Sequence, residues 1–184
     1  MNMKMVCILL YLLSIVTANI LTASYAPLNL GNLIFPVGSF LIGATFIFRD
    51  LVQNAVGRRN TYIAIVTALV ISAISSSLLG DGLQIVAASA IAFLFSETTD
   101  TEIYTRLKLP IGLKVLYSGI VGGALDSAIF VIVGLSPLFG GFLTWEMTGY
   151  AIAGQILVKI AMQFLGTGVI GVLPRRLVGA NAVA

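Results

Sequence analysis

The sequence contains no histidine and a single cysteine, Cys7. Without histidine there is no Ser-His or Cys-His nucleophile, no imidazole-ligated zinc and no ordinary switch near neutral pH. A lone cysteine rules out an internal disulfide and any site built from several thiolates. Charge is scarce as well. Charged residues make up 9% of the chain and hydrophobic ones 59%, a balance that leaves a water-soluble fold with too little polar surface to cover itself. The motifs G-x-S-x-G, H-E-x-x-H and Gly-x-Gly-Asp are missing. These absences argue against an enzyme and call for neither a metal nor a cofactor.

What the sequence does have is long apolar runs. Six of them, at 5–23, 32–52, 61–79, 83–104, 113–134 and 146–172, meet the roughly 20 residues that a spanning helix needs. Glycine, proline or polar residues separate them. Lipid forces each segment to satisfy its own backbone groups, and the alternation of a barrel strand is missing. The expected fold is therefore an all-α integral membrane protein, a six-helix bundle forming one transmembrane domain over residues 1–184. The connectors 24–31, 80–82 and 135–145 hold no Lys or Arg, whereas Lys4, Arg58, Arg59, Arg106, Lys108, Lys114, Arg175 and Arg176 cluster at the other ends of the runs. The positive-inside rule then places both termini in the cytoplasm. Nucleic-acid binding by these basic loops is the weaker reading. Lys4, the first run and Ser24-Tyr25-Ala26 loosely resemble a cleavable signal, but the run is long for one and its loss would leave five spans. Three helices per half would give the halves inverted orientation, as in many transporters, although no repeat is visible.

A charge near the bilayer centre costs about 2.5–3.5 kcal/mol on insertion scales, so it is expected to face a partner, a cavity or a pathway. Arg49 and Asp50 lie near the inner end of the second run, and Glu97 and Asp100 in the inner half of the fourth. Asp126 and Lys159 lie about 20 Å into the fifth and sixth runs at about 1.5 Å per residue. Glu97, Asp100 and Tyr104 share a helix face, with Phe93 a turn before them. Ala88, Ala92 and Ser96 form a neighbouring strip suited to close packing, and Gly119 and Gly123 form a GxxxG pair just before Asp126 and Phe130. Gln155, Lys159 and Gln163 make a polar stripe that lipid would not tolerate, so it is expected to face the bundle interior. Asn19 and Thr22 read as helix-to-helix hydrogen-bonding groups, Arg49-Asp50 as a pair able to snorkel to the interface, and Gly80-Asp81-Gly82 as a tight external turn. Glu97, Asp100 and Asp126 exceed Lys159 by two formal charges. Either Arg49 joins them or one carboxylate holds a proton, which would be a coupling proton. Carboxylates, glutamines and aromatics suit a planar solute rich in N–H donors, so binding fits the inventory better than catalysis.

The stretches Phe48-Arg49-Asp50-Leu51-Val52-Gln53 with Gly57-Arg58-Arg59, then Ala92-Phe93-Leu94-Phe95-Ser96-Glu97-Thr98-Thr99-Asp100-Thr101-Glu102-Ile103-Tyr104, then Asp126-Ser127-Ala128-Ile129-Phe130 give the chain its resemblance to a known family. It resembles the queuosine precursor transporters, part of the vitamin uptake transporter group, over about residues 10–135. The resemblance implies a six-helix importer of 7-deazaguanine bases (the 7-cyano or 7-aminomethyl compound, or queuine) that serves queuosine salvage for tRNA without a dedicated ATPase. It implies a fold like the substrate-binding subunits of energy-coupling-factor importers. The alternative is such a subunit itself, with a separate ATP-driven module docking on the Ser14/Ala18/Thr22 strip, and a structural or regulatory subunit is a further rival. Under the importer reading Glu97 or Asp126 would accept the N–H edge of the base. Phe93, Tyr104 or Phe130 would stack on it, Gln155 or Gln163 would donate to its carbonyl, Lys159 would balance charge, and Asn19 would add a polar contact. Arg49, Asp50 and Asp100 would form a gate or support network on the cytoplasmic side. The expected partners are a purine-like small molecule and the lipid bilayer, with no nucleic acid, and a homo-oligomer stays open.

Overall fold

The computed structural model describes residues 3–172, so Arg175 and Arg176 lie outside the described residues. Six long helices dominate: α1 (Met3–Ser24), α2 (Gly38–Val56), α3 (Arg58–Leu78), α4 (Leu83–Arg106), α5 (Ile111–Phe130) and α6 (Trp145–Val172). A π-helical turn at Val131–Leu135 extends α5, and a short 3-10 turn, Pro137–Phe139, follows it. The expected helix over 32–52 begins differently. Its first residues form β2 (Leu33–Phe35), antiparallel to β1 (Leu28–Leu30), and helix starts only at Gly38. Two local features explain this. Gly31 adopts a positive φ of 61°, which suits the first position of a two-residue hairpin loop. Pro36 then holds the preceding residue extended and lacks the N–H that a helix interior requires.

Short connections reverse the chain between α2 and α3, between α3 and α4 and between α4 and α5. The tightest is Gly57 alone between α2 and α3, whose φ of 82° is open to glycine at little cost. One end of the bundle gathers the hairpin, the 79–82 turn and the 131–144 segment, the last of which is tied to the start of α4 by Gln84, which donates to the carbonyls of Val133, Gly134 and Phe139. The other end carries Arg58, Arg106 and Lys114 and is called the basic end below.

The molecule is polar inside and apolar outside. Arg49, Asp50, Glu97, Asp100, Lys159 and Gln163 are buried, while Leu13, Ile63, Val70, Ile74, Phe164 and Leu165 are exposed. In water this arrangement would be costly on both counts; in lipid, apolar surface costs nothing and polar groups must find each other. Four spans, Met3–Ser24, Arg58–Leu78, Ile111–Leu135 and Trp145–Val172, are long and apolar enough to cross a membrane. α2 and α4 fall short of that standard because they hold the inner charges.

The glycines of α5 make room for those charges. Gly119 lies against the Gln163 side chain, Gly123 against the stem of Lys159, and Gly122 against Asp100 and Phe46. A Cβ at Gly122 would sit 2.9 Å from Asp100 Cβ and 3.0 Å from Phe46 Cε1. Asp100 is held by Arg49, so it cannot retreat freely. Gly122→Ala is thus expected to cost about 1–3 kcal/mol through overpacking. Gly168→Ala, within α6 and with open space around it, should instead leave stability unchanged or raise it by up to about 1 kcal/mol. Thermal unfolding of the two variants in one detergent compares them.

Candidate functional site

The first three helices and the last three enclose a cavity between them. Its volume open to the centre of a water-sized sphere is about 80 Å³, against roughly 10–15 Å³ for one water, which is room for a small solute. Thr22 and Asp81, both at least partly exposed, bring it to the surface at the hairpin end. Phe93, in its inner wall, is ten residues beyond the start of α4, about 15 Å along the helix at 1.5 Å per residue. Hydroxyls of Ser39, Ser72, Ser76 and Ser89 line the walls, Phe93 and Phe130 supply ring surfaces, and the charged residues of the lining are Asp81 and Asp126. No Lys or Arg belongs to it.

Asp126 is held from behind. Lys159 Nζ donates to its Oδ2 at 2.6 Å and also to Ser127 Oγ at 2.8 Å, and Ser96 Oγ donates to Oδ1 at 3.3 Å. Lys159 is 1% exposed and stays out of the cavity lining, because α6 crosses α5 at Gly123. Gln155, from the same face of α6, does line the cavity; it is 3% exposed and its Nε2 has no hydrogen-bond partner among the described residues. A buried amide left unpaired costs free energy.

A second cluster lies toward the basic end. Arg49, instead of snorkelling, is fully buried. Its guanidinium pairs with Asp50 at 2.8 Å, with Glu97 at 3.3 Å and with Asp100. Nη1 also donates to Gln53 Oε1 at 2.9 Å, and Gln53 Nε2 donates in turn to Thr105 Oγ1 at 2.8 Å. Ser118 Oγ donates to Asp50 Oδ2 at 3.3 Å. The fork of a guanidinium presents five donors in one plane, which lets a single cation serve three carboxylates. Together the two clusters contain Arg49 and Lys159 against Asp50, Glu97, Asp100 and Asp126, so two formal negative charges stay in excess even with Arg49 included.

The candidate residues therefore separate. Asn19, Phe93, Asp126, Phe130 and Gln155 meet in the cavity, while Glu97 joins Arg49, Asp50 and Asp100 in the second cluster. Asn19 also donates to Ser72 and Ser75, which ties α1 to α3. Gln163 Nε2 donates to the Gly43 carbonyl at 2.8 Å and pins α6 to α2 away from the cavity. Tyr104 is at the basic end, packed with Ile47, Val115 and Ile170 and facing Lys114 Nζ at 5.5 Å from its ring centre. Sequence reasoning passed over Asp81, Ser96 and Gln53 as site residues. Asp81 read as a turn and Ser96 as packing, but Gln53 carried a usable signal, its i+4 spacing from Arg49.

The Asp126/Lys159 pair has a consequence for stability. Neutralising one partner leaves a buried charge uncompensated, so Asp126→Asn or Lys159→Met alone should destabilise the protein by about 3–5 kcal/mol, and the double variant should recover most of that loss. Thermal unfolding in detergent checks the recovery.

The sequence model of a family described as "Putative vitamin uptake transporter" matches residues 75–173. No curated protein and no solved structure matches the chain significantly. The matched stretch begins in α3 and takes in α4, α5 and α6, with both carboxylate clusters' α4 and α5 members. Since it covers more than half of the chain, the protein belongs to this vitamin uptake transporter family and is a multi-pass membrane transporter, not an enzyme.

Proposed function

We propose that the protein imports 7-deazaguanine queuosine precursors, as a six-span carrier of a bacterial-type inner membrane with both termini and the basic end in the cytoplasm. The observation that carries this reading is the cavity, whose lining brings together the Asp126 carboxylate, the Gln155 side chain and the phenyl rings of Phe93 and Phe130. A deazaguanine presents a ring N–H beside an exocyclic amine, which Asp126 would accept in bidentate fashion. Its carbonyl would take the proton of Gln155 Nε2, and Phe93 and Phe130 would cover its faces. Asp126 suits the role better than Glu97, whose carboxylate is turned to Arg49.

The contacts that join the halves support an alternating-access reading. Arg49 on α2 holds Glu97 and Asp100 on α4, Gln53 holds Thr105, Asp50 takes a bond from Ser118 on α5, and Arg58 on α3 pairs with Glu102 on α4 at 2.5 Å. These contacts all cross from one half to the other on the basic-end side of Asp126, so they form an inner gate beneath a cavity that faces outward. Releasing substrate inward requires the Arg49 contacts to part, and a proton taken up by the carboxylate excess would weaken them and couple import to the proton gradient. A docking face for an ATP-driven module gains no support from the Ser14/Ala18/Thr22 strip. Ser14 and Ala18 are buried, and Gly38 seats directly on Ala18 and Thr22.

The test is queuosine in tRNA of a bacterium that lacks its own precursor synthesis and importer, expresses this chain and is fed each base at low concentration. Wild type should restore the modification, and the folded Asp126→Asn/Lys159→Met variant should lower uptake about 10- to 100-fold, the worth of one charged hydrogen bond. No restoration by inserted wild type with any of the bases would overturn the substrate reading. An uncoupler should abolish uptake; indifference to it would remove the proton.

A further inference from the structure

We propose that Asp81 makes the mouth of the cavity a selectivity filter for solutes that carry an ammonium group. This rests on the deazaguanine reading of the same cavity, and within it singles out the amine-bearing bases over the nitrile as the preferred cargo.

Asp81 stands in the turn between α3 and α4, flanked by Gly80 at a φ of 92° and by Gly82. The turn is tied back on α3 twice: the Asp81 backbone N–H donates to the Ser76 carbonyl at 3.2 Å, and Ser76 Oγ donates to Asp81 Oδ2. Ser76 is 4% exposed and lines the cavity together with Asp81. The carboxylate is therefore held over the opening and does not swing in solvent. Its Oδ1 receives no hydrogen bond among the described residues, and no Lys or Arg pairs with it there. Asp126, by contrast, already has Lys159. Of the two acids in the lining, Asp81 is the one without a cationic side-chain partner among the described residues, so it adds negative charge at the mouth.

A cleft with walls of low dielectric and one sign of charge concentrates field lines and raises the entry rate of ions of the opposite sign by about 10- to 1,000-fold, in a salt-dependent way. Solutes with a free carboxylate are repelled by the same field. The deeper polar contacts do not discriminate among the bases, since Asp126 and Gln155 would meet an edge that the nitrile, the aminomethyl compound and queuine have in common. The substituent at the 7-position decides: it is neutral in the nitrile and carries a protonated amine in the other two. Asp81 is the acidic group of the lining left to read it.

The experiment compares initial uptake of the 7-aminomethyl and 7-cyano bases, each well below saturation, by cells expressing the wild type, Asp81→Asn and Asp81→Glu. Asparagine keeps an acceptor for Ser76 and glutamate keeps the charge. Wild type is expected to take up the aminomethyl base about 10-fold faster than the nitrile, less so at high external salt. Asp81→Asn should bring the ratio of the two toward one, and Asp81→Glu should restore much of it. Equal uptake of both bases by wild type, a comparison that needs no variant to fold, overturns the filter and leaves the deazaguanine reading standing. So does a ratio unchanged in an inserted Asp81→Asn. If neither base enters through inserted wild type, the deazaguanine reading has failed and the filter falls with it.

Discussion

A guanidinium buried among three carboxylates organises this molecule. Arg49 has no exposed surface, and its contacts with Asp50, Glu97 and Asp100 have to form together, because a bare charge in a low-dielectric interior costs several kcal/mol. That requirement sets the rotation of α2 and α4 about their axes and the depth at which they face each other. It also dictates α5, which must approach closely enough for Ser118 to reach Asp50 and for Gly122 to clear Asp100. The small residues of α5 are thus a consequence of the charges as much as a packing device.

The cavity and the ion-pair cluster share one helix. α4 presents Ala92 and Phe93 to the cavity, and Glu97 and Asp100 to Arg49, with Ser96 between them bonded to Asp126. A rigid helix that carries cavity wall and ion pairs cannot shift at one without shifting at the other. The bond from Lys159 Nζ holds the Asp126 carboxylate in one orientation.

Outside the polar interior the design is simple. Large aliphatic and aromatic side chains cover the surface of the spans, where lipid leaves the choice of residue nearly free, and that surface carries little information about function. The hairpin is the exception to helical architecture, and it sits at the end of the bundle, packed on α6 with Phe35 buried, where its backbone pairs with itself and need not be satisfied by lipid.

The sequence by itself determined the membrane class, the number and approximate position of the long helices, and the inward orientation of the Gln155/Lys159/Gln163 stripe, because each depends on composition and on spacing within one segment. It also showed which charges were too expensive to face lipid. It did not show the hairpin, whose three-residue strands merge with the apolar run that follows, nor that Arg49 would be the centre of a cluster. It could not separate Asp126 from Glu97, or bring Asp81 from an external turn to the rim of a cavity. Those distinctions depend on how one helix is rotated and shifted against another. A residue's neighbours along its own helix follow from 3.6 residues per turn, but its partners on other helices change with a rotation of one residue, and only the packed tertiary structure decides that rotation.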